Sequence, residues 1–575
     1  MSEKTMTGAE ALVRCLENEG VEYIFGLSGG AALPMYDALV GSKIKLILVR
    51  HEQGATHMAD GYARATGKPG VVLVTSGPGA TNTITGIMTA HMDSVPMVVI
   101  TGQTISPMLG KDAFQEADVF GLTMPVVKHS YLIKSTECIP RVLREAFFIT
   151  SSGRPGPVLI DIPKDFSGAE FSGDLYPEMD LPGFNPTDGK PDPAVVMQIA
   201  EALSKSRRPV ILAGHGALIA GAEDALLALA EKLHAPVTST LLGKGAFPES
   251  HPLSLGMLGM HGTAYSNKAL VECDLIMSVG SRFDDRIIGK APLFCRDAVR
   301  IHIDIDPSEF GRMIKCDHYC EGDAKQVLEQ LLEHVGELNT TDWLSTLDGY
   351  KRRYALTYKK RGGLKVQQIL DTLNTMTGGD AIVVTDVGQH QMWAAQFCKT
   401  EKPNTWLSSG GAGTMGYGLP AAIGAALGKP EKPVWVIVGD GGFQMTMCEL
   451  ATAAINKVPV KVIVMNNRYL GMVRQWQTMF YDDRKSGVDL EGNPDFAKLV
   501  ETFPGGKGLT LKRAGDIRKV LEKAMAYQDG PCVINAIVEK TENVFPMIPS
   551  GAPLEEMLIT EPKPDQKLEK PTGST

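Results

Sequence analysis

The stretch VGDGGFQMTMCELATAAINKVPVKVIVMNN, residues 438–467, decides the fold of this chain. The apolar run VWVIV ends just before Gly439, and a second apolar run, VKVIVM, ends just before Asn466. Both runs are typical of buried parallel strands, and the residues between them have the pattern of an amphipathic helix. Open α/β sheets bind ligands beyond the carboxyl ends of their strands, so Asp440 and Asn467 are expected to lie together at such an edge.

Asp440 and Asn467 offer oxygen atoms that suit a magnesium ion. Mg²⁺ prefers a few protein oxygens, completed by water and substrate phosphates. Gly439 and Gly441 lack a Cβ atom, so the backbone and a diphosphate group can approach each other closely. Taken singly, GDG and NN are common in turns. The order strand, GDG, helix, strand, NN is more specific than either turn, and it favours a diphosphate site with a bound metal.

The spacing of GDG, 24 residues and NN resembles the motif of enzymes that use thiamine diphosphate, among them pyruvate oxidases, decarboxylases and acetolactate synthases. The resemblance implies that thiamine diphosphate and Mg²⁺ are cofactors. It also implies that the metal ligands are Asp440, Asn467 and the backbone carbonyl of Tyr469, with Gly441 beside the cofactor.

The composition is that of a globular protein without a nucleic-acid partner. The chain has 575 residues, of which 43% are hydrophobic and 21% are charged, and its net charge is −9. On a guide of roughly 150 residues per domain, this length predicts three or four domains. Because the net charge is negative, we expect no binding to a phosphate backbone.

Neither a membrane span nor a targeting segment is expected. No apolar run is long enough to cross a bilayer. The N-terminus reaches a predicted helix at Thr7, where Thr7 and Glu10 form the pattern of a capping box. Nine cysteines are scattered without a framework, which is typical of reduced thiols and predicts a cytoplasmic protein. The spacing of Cys316, His318 and Cys320 allows a metal site, but the absence of a second pair disfavours it.

Short apolar strands alternate with helical stretches, which predicts α/β domains with doubly wound parallel sheets. Besides VWVIV and VKVIVM, the predicted strands are VEYIFGL, KLILV, GVVLVT, PMVVIT, PVLIDI, RPVILAG, APVTST, DLIMSVG, VRIHIDI and AIVVT. We assign residues 1–166 to an N-terminal domain and residues 194–340 to a central domain. Residues 364–555 form the third domain. By the resemblance these are the pyrimidine-binding, FAD-binding-type and diphosphate-binding domains. Residues 167–193, rich in Gly, Pro and Asp, are a predicted linker, and residues 556–575 a predicted disordered tail.

Glu52 follows the predicted strand KLILV, where a helix begins. A carboxylate in the first turn of a helix is favourable for the helix dipole alone. The sequence HEQGATHMADGYAR, residues 51–64, resembles the family stretch that carries the catalytic glutamate. The resemblance implies that Glu52 contacts N1′ of the aminopyrimidine ring of thiamine diphosphate and supports the proton transfer that activates this cofactor.

Two loops of the N-terminal domain, GLSGGA at 26–31 and TSGPGATN at 75–82, resemble family loops that face the reactive end of the cofactor from a partner subunit. Either loop could be a simple turn. Ser28 departs from the family, which usually has proline there, and this affects only local loop stiffness. The resemblance makes Gly30 a catalytic residue and puts Phe114, Gln115 and Lys164 at the substrate entrance.

The central segment resembles the FAD-binding domain of acetolactate synthases. Glycine loops after its predicted strands are weak signals by themselves. A Rossmann-type dehydrogenase is the alternative, but no GxGxxG with an acidic partner about 20 residues further on follows a first strand. The resemblance implies structural FAD and these flavin contacts: Arg154, Gly214, Gly216, Met260, His261, Gly280, Arg282, Asp284, Arg286, Asp304, Ile305 and Asp323.

In the third segment, Gly388 and the helix start that follows it suit a diphosphate group. Gln389 and His390 match family diphosphate contacts, and Gly413 belongs to a matching cofactor loop. A methionine is ordinarily core filler. Met415, however, matches the bulky residue that keeps thiamine diphosphate in its bent conformation, so it is a predicted cofactor contact and catalytic residue.

The helix after Asn467 carries the predicted pocket for the second substrate. Trp476 matches the tryptophan that shapes this pocket in acetolactate synthases, and Met472 matches its neighbour, although a partly exposed tryptophan could equally be packing. We expect Arg286 to pair with the substrate carboxylate, because a guanidinium binds a carboxylate through two parallel hydrogen bonds.

Over residues 5–555 the motifs resemble those of acetolactate synthase catalytic large subunits in order and spacing. The resemblance implies decarboxylation of pyruvate and carboligation to a second 2-oxoacid, either pyruvate or 2-oxobutyrate. This is the first common step of branched-chain amino acid biosynthesis. A homodimer or homotetramer is implied as well, and a small regulatory subunit is plausible.

Three alternatives stay open. Pyruvate oxidase also uses thiamine diphosphate and FAD, but it passes electrons to an acceptor. Glyoxylate carboligase has the same architecture, but it lacks the glutamate and the tryptophan that are present here as Glu52 and Trp476. A noncatalytic binding protein is the third alternative, and it is disfavoured because Glu52, Asp440 and Asn467 are all present.

Overall fold

The computed structural model describes residues 6–562, and its core is three parallel β-sheets of six strands each, flanked by helices. This confirms the predicted class, α/β with doubly wound parallel sheets. Strands such as Gly70–Val74 and Met97–Gln103 are buried at every position. Continuous burial is expected where helices cover both faces of a parallel sheet, and it explains why these strands read as unbroken apolar runs.

The N-terminal part of the chain builds the first sheet. Its elements are β1 Met6–Thr7, α1 Gly8–Asn18, β2 Tyr23–Leu27, α2 Leu33–Ala38, β3 Lys45–Leu48, α3 Glu52–Thr66, β4 Gly70–Val74, α4 Pro78–Thr81, α5 Ile84–Asp93, β5 Met97–Gln103, α6 Val119–Thr123, β6 His129–Leu132, α7 Ile139–Ser151, β7 Pro157–Pro163, α8 Lys164–Gly168 and β8 Glu170–Phe171. The strand order is β3-β2-β4-β5-β7-β6, and β1 pairs separately with β8.

The middle part builds the second sheet. Its elements are α9 Pro193–Lys205, β9 Pro209–Ala213, α10 His215–Ile219, α11 Glu223–Leu233, β10 Val237–Ser239, β11 Ser254–Met257, α12 Ala264–Glu272, β12 Leu275–Val279, α13 Asp285–Ile288, β13 Val299–Asp304, β14 His318–Glu321, α14 Ala324–His334 and α15 Thr341–Arg353. The order β11-β10-β9-β12-β13-β14 is that of dinucleotide-binding folds, in which the two halves diverge from the first strand.

The C-terminal part builds the third sheet. Its elements are α16 Val366–Thr377, β15 Ile382–Thr385, α17 Gln389–Phe397, β16 Trp406–Ser408, α18 Gly418–Gly428, β17 Val434–Gly439, α19 Asp440–Thr446, α20 Leu450–Ile455, β18 Lys461–Asn466, α21 Gly471–Phe480, α22 Phe496–Val500, β19 Lys507–Leu511, α23 Ile517–Ala526 and β20 Cys532–Ile537. The order β16-β15-β17-β18-β20-β19 repeats that of the first sheet. The first and third domains therefore share one topology.

The strands that the sequence analysis did not identify lie mostly at sheet edges. β6, β11, β14, β16 and β19 are all edge strands. β19, for example, has one buried residue in five, so it lacks the continuous apolar run by which a central parallel strand is recognised. β20 is buried and central, but Asn535 interrupts its apolar pattern.

Helices α3 and α18 join the first and third domains. A Cβ atom on Gly61 would lie 1.9 Å from the carbonyl oxygen of Ala421, and one on Gly424 would lie 1.9 Å from that of Met58. The two helices approach so closely because both contacts occur at glycines. The packing buries Arg64 with Asp60 and with other charged groups of the first domain.

The ends of the predicted domains have structure of their own. The capping box of Thr7 and Glu10 is present, which confirms the predicted helix start. Within the predicted linker, β8 pairs with β1, while residues 172–192 form no helix or strand. The predicted tail starts at 556, but Leu558 exchanges backbone hydrogen bonds with Met547, so its first residues are paired. Residues 563–575 lie outside the described residues.

None of the helices within residues 6–562 has the length and apolar character of a membrane span. In the same range, no group of three or more His, Cys, Asp or Glu side chains is arranged to hold a metal ion, and this includes Cys316, His318 and Cys320.

Candidate active site

A cavity of about 1620 Å³ lies where the middle and C-terminal domains meet, and residues of the N-terminal domain such as Asp93 and Arg154 also line it. The residues that line it include most of the predicted cofactor and substrate contacts. These are Arg154, Gly216, Met260, His261, Gly280, Arg282, Asp284, Arg286, Asp304, Ile305, Asp323, Gln389, His390, Gly413, Met415, Asp440, Gly441, Asn467, Tyr469, Met472 and Trp476. Residues that the sequence separates by more than 300 positions thus share one space.

Asp440 and Asn467 lie together at the edge of the third sheet, as their strands predict. Asp440 begins α19 and is 1% exposed. Its Oδ2 accepts hydrogen bonds from the backbone N–H of Arg468, at 2.8 Å, and from Asn493 Nδ2, at 2.6 Å. Burial raises the pKa of Asp440 to about 6. A buried carboxylate with one oxygen so engaged keeps its other oxygen available for a cation.

The turn after Asn467 brings the third predicted metal ligand into place. Asn467 Oδ1 accepts the N–H of Tyr469 at 3.0 Å, and Arg468 between them has a φ of 57°, in the left-handed region. This compact turn brings the Tyr469 backbone close to the side-chain oxygen of Asn467. Asp440, Asn467 and Tyr469 all line the cavity.

Gln389 and His390, at the start of α17, leave polar atoms unpaired at the cavity. Gln389 Nε2 donates to Gln475 Oε1 and to the carbonyl of Glu542. Gln389 Oε1 and His390 Nε2 are buried and have no hydrogen-bond partner among the residues described. Burial lowers the pKa of His390 to about 3, so its imidazole is neutral at physiological pH. A buried polar atom without a partner is costly, which makes this helix start a site that favours a polar ligand.

The loop that carries Met415 is held by a carboxylate that the sequence analysis did not assign. Asp386 is fully buried at the end of β15, and its carboxylate accepts the N–H groups of Gly416 and Gly418 at 2.9–3.2 Å. Burial raises the pKa of Asp386 to about 6. Asp93 of the first domain accepts the N–H groups of Gly410 and Gly411 in the same loop. Two buried carboxylates therefore fix the loop from opposite ends.

The N-terminal and middle domains together contribute a charged wall to the cavity. Arg154 donates to Ser94 Oγ at 2.8 Å and pairs with Glu309 at 2.6 Å and Asp306 at 3.3 Å. Arg282 pairs with Asp284, whose pKa is raised by burial. His261 Nδ1 lies 3.2 Å from the carbonyl of Pro546, and burial lowers the pKa of His261 to about 4.

Gly214 is an exception among the predicted flavin contacts, because it does not belong to the cavity lining within the described part of the chain. A Cβ atom on Gly214 would lie 2.1 Å from the carbonyl oxygen of Gly280. The flavin contact of Gly214 stays a prediction, and the close approach of two strand ends by itself explains why this residue is a glycine. Gly216 and Gly280 do line the cavity.

Helix α21 presents Trp476 and Met472 to the cavity and is anchored from its other side. Arg474 is 2% exposed and donates to the carbonyls of Thr541 and Glu542. Gln475 is fully buried and pairs with the backbone of Val544. Sequence reasoning missed this anchoring, because a polar pair beside Trp476 reads as solvent-exposed until residues 541–544 are known to cover it.

Arg286 lines the same cavity, and its side chain makes only long contacts with other residues. The Arg286 side chain is 59% exposed, its nearest acidic partner is Asp285 at 3.8 Å, and Met260 Sδ lies 4.0 Å away. An arginine with such weak internal pairing is available to a carboxylate ligand.

Glu52 lies elsewhere. Within residues 6–562, the cavity lining does not include Glu52, Gly30, Gln115 or Lys164. Glu52 is the first residue of α3, is 7% exposed, and accepts a hydrogen bond from Asn82 Nδ2 at 3.0 Å.

The predicted loops of the first domain gather around Glu52. A Cβ atom on Gly79 would lie 3.6 Å from Glu52 Oε1, and one on Gly77 would lie 2.8 Å from the carbonyl of Gln115. Gln115 has a φ of 56°. The first domain therefore keeps the predicted acid apart from the predicted side-chain metal ligands, Asp440 and Asn467, which line the cavity.

Three family models match the chain. They are the N-terminal TPP binding domain of thiamine pyrophosphate enzymes over residues 6–122, the central domain over 196–331 and the C-terminal TPP binding domain over 386–536. These matches define the class of the protein, a thiamine pyrophosphate enzyme of three domains.

Curated relatives narrow this class. The chain is 48% identical to an acetolactate synthase of Mycobacterium leprae, with 97% of this chain and 91% of the relative covered. It is 47% identical to the acetolactate synthase large subunit of Corynebacterium glutamicum, with 95% and 89% covered. It is 44% identical to the acetolactate synthase large subunit of Haemophilus influenzae, with 97% and 99% covered. The chain belongs to the family of acetolactate synthase large subunits, which confirms the resemblance drawn from its motifs.

Proposed function

We propose that this chain is the catalytic subunit of an enzyme that decarboxylates pyruvate and joins the remaining two-carbon unit to a second 2-oxoacid, pyruvate or 2-oxobutyrate. The product class is 2-acetohydroxy acids, and the reaction is the first common step towards valine, leucine and isoleucine. The observation that carries this proposal is the single cavity in which Asp440 and Asn467 share one space with Arg286 and Trp476.

Thiamine diphosphate and Mg²⁺ fit the C-terminal side of the cavity. Asp440, Asn467 and the Tyr469 carbonyl would hold Mg²⁺ through oxygen atoms, which is the coordination this ion prefers. The unpaired atoms of Gln389 and His390 would meet the diphosphate at the start of α17. Thiamine diphosphate, when bound, supplies the carbon centre at which pyruvate loses carbon dioxide.

The side chains of the protein orient the reactants and control protons. Glu52 would hold a proton at N1′ of the aminopyrimidine, with Asn82 fixing one of its oxygens. Arg286 would bind the carboxylate of the second 2-oxoacid. Trp476 and Met472 would cover its alkyl group with an apolar wall, which limits access of water to the reacting carbon.

FAD is proposed as a third, structural cofactor in the middle domain. The strand order of the second sheet is that of dinucleotide-binding folds. Asp304 ends strand β13, and Asp323 lies just after the neighbouring strand β14. A cavity of about 1620 Å³ also exceeds the roughly 300–1,000 Å³ of a site for one small ligand. Both features support the binding of FAD beside thiamine diphosphate in this cavity.

A homodimer is proposed as the smallest active unit, and two dimers would form the homotetramer. Four large apolar side chains between 114 and 124 are exposed: Phe114 at 90%, Met124 at 60%, Leu122 at 48% and Phe120 at 38%. They follow the loops around Glu52 in the chain and flank Gln115. Pairing this surface with a second copy would bury apolar area and bring Glu52 to the cofactor cavity of that copy.

The cellular setting is proposed from the relatives and the thiols. Two of the relatives above are named large subunits, which supports a small regulatory subunit as a partner. All nine cysteines are free, which fits a reducing cytoplasm.

The test is a competition assay with the purified protein. It contains thiamine diphosphate, Mg²⁺, FAD and equal amounts of pyruvate and 2-oxobutyrate, with and without a redox dye. We expect 2-acetohydroxy acids in both cases and no reduction of the dye. Acetate formation that depends on the dye would favour the pyruvate oxidase alternative instead.

A further inference from the structure

We propose that Glu449 is a positioning residue for Glu52, so that the C-terminal domain of each chain sets the acid used at the cofactor cavity of the partner subunit. The inference rests on the proposed function, in which Glu52 of one chain works with Asp440 of the partner subunit. Glu449 belongs to neither predicted site, and it lies 397 positions after Glu52 in the sequence.

The contacts of Glu449 converge on the two residues before Glu52. Its Oε1 accepts the backbone N–H of Arg50 at 3.1 Å and that of His51 at 3.0 Å, and its Oε2 lies 3.2 Å from the same Arg50 nitrogen. Thr452 Oγ1 donates to Oε2 at 2.6 Å and so fixes the rotation of the carboxylate. Both oxygens of Glu449 are therefore used on this one junction.

The backbone before α3 accommodates the Glu449 carboxylate closely. Glu449 is fully buried, and the backbone it binds leads directly into α3, whose first residue is Glu52. A Cβ atom on Gly54 would lie 2.3 Å from Glu449 Oε1, so only glycine at position 54 leaves room for the side chain. A negative charge beside the start of α3 also suits the positive end of that helix.

Glu449 connects two parts of the molecule that serve different cavities. It ends the short 3-10 helix Met447–Glu449, which continues directly from α19, and α19 starts at Asp440. Asp440 lines the cavity of its own chain, whereas Glu52 does not line that cavity within the described residues. The segment that carries a predicted metal ligand of one site thus holds the acid of the other site.

A backbone cap that only supports folding would lower stability without a selective effect on the reaction. A positioning role predicts a different result. Moving the carboxylate of Glu52 by a fraction of an ångström should lower kcat, because proton transfer depends on close alignment. The KM for pyruvate and the affinity for thiamine diphosphate with Mg²⁺ should stay within about twofold, because other residues bind these ligands.

Steady-state kinetics of four variants separate these roles. For Glu449→Ala we expect kcat to fall by about 10–100-fold. Gly54→Ala should lower kcat in the same way, since it displaces the carboxylate without removing it. Glu449→Gln should recover most of kcat, because its Oε1 still accepts both backbone N–H groups. Glu145→Ala is the control: it removes a buried carboxylate of the first domain that has no contact with this junction, and it should leave kcat unchanged.

Mixed dimers, isolated with two affinity tags, decide which cavity Glu449 serves. In a dimer of one Glu449→Ala chain and one Asp440→Asn chain, both changes fall on the same site, so the other site stays intact. We expect about half of the wild-type activity. When one chain carries both changes and its partner is wild type, each site is damaged once, and activity should not exceed that of Glu449→Ala.

The inference is overturned if the dimer with both changes in one chain keeps half of the activity while the dimer with one change in each chain loses it. Low activity in both mixed dimers also overturns the inference, and so does a kcat for Glu449→Ala close to wild type. The pairing of Glu52→Gln with Asp440→Asn is the control for the two-chain site. If this control pairing is inactive, the proposed function and the inference both fall. If the control dimer reaches half of the wild-type activity while the dimer of Glu449→Ala with Asp440→Asn does not, only the inference is wrong. Should Glu449→Ala not assemble, Gly54→Ala replaces it in both pairings.

Discussion

At the scale of single residues, some residues of the site can be predicted from sequence motifs, whereas others are recognised only in the folded structure. Asp440, Asn467 and Glu52 belong to dense motifs in which residue type and spacing are both constrained. Asp386, Asn493 and Asn82 also bind site residues, but each is a single polar residue in a loop. Nothing in the chain around them indicates what they contact, because their partners lie 30–53 positions away.

Replacing the predicted acid should remove catalysis and leave the fold intact. We expect Glu52→Gln to lower the rate of carboligation by about 10²–10⁴-fold, the usual contribution of a positioned acid or base. Its amide still accepts from Asn82, so the unfolding transition should not change. Product formation and circular dichroism measure the two effects. Glu17→Gln, in the same domain, is the control, and a fully active Glu52→Gln enzyme would disprove the role of Glu52.

The acceptor preference should depend on Trp476. Its ring packs 5.3 Å from that of Phe480 and lines the cavity. Trp476→Leu opens the apolar wall, so the preference for 2-oxobutyrate over pyruvate should fall by a factor on the order of ten, the scale of one methylene in a fitted pocket. The ratio of the two products measures this. Thr478→Val, on the same helix, is the control and should keep the wild-type ratio. An unchanged product ratio in Trp476→Leu would show that Trp476 does not determine the acceptor preference.

At the scale of elements, the sequence predicts central strands well and edges poorly. Each strand named in advance is present in its sheet, and all of them except the edge strand β3 are central, where burial on both faces demands an unbroken apolar run. Edge strands such as β14 and β19 form where backbone pairing is available, and their own sequences carry little signal. The pairing of α3 with α18 is equally invisible in the sequence, since Gly61 and Gly424 read as ordinary helix glycines until the two helices meet.

The close contact of these helices gives a stability prediction. Gly61→Ala places a Cβ atom 1.9 Å from the Ala421 carbonyl, so the helices must separate, and the free energy of unfolding should fall by about 1–3 kcal/mol. Gly349→Ala is the matched control. Gly349 lies inside α15, and no atom lies within 4 Å of the place that a Cβ atom would take there, so alanine should raise stability by about 0.5–1 kcal/mol. Urea titration of both variants checks the sign, and a stable Gly61→Ala protein would contradict the packing.

At the scale of the whole molecule, the predicted acid and the predicted side-chain metal ligands of one chain lie apart, as two halves of the proposed shared site. The sequence predicts both halves through their motifs, and the resemblance implies that they meet across a subunit interface. The geometry within one chain fits this arrangement, since Asp440 and Asn467 line the cavity, whereas Glu52 does not line it within the described residues. The backbone pairing of Met547 with Leu558 could not be predicted, because the sequence near the end of the chain is rich in proline and charged residues.

Disrupting the exposed apolar surface should separate the subunits. Met124→Asp places a charge on a side chain that is 60% exposed in the single chain and buried in the proposed dimer. We expect a folded monomer without carboligase activity, measured by sedimentation and product assay. Met197→Asp changes an equally apolar residue of α9 that is 51% exposed, and it should keep the wild-type assembly. An active monomer of Met124→Asp would refute the shared site.

The carbon balance of the reaction tests carboligation most directly. The purified protein is given thiamine diphosphate, Mg²⁺ and FAD, with pyruvate as the only 2-oxoacid. Carbon-13 NMR follows the fate of labelled pyruvate, while released carbon dioxide is counted in parallel. We expect two molecules of pyruvate to be consumed for each carbon dioxide released, with acetolactate as the product. One pyruvate consumed per carbon dioxide, with acetate and a reduced acceptor or with free acetaldehyde, would show that the protein is not a carboligase.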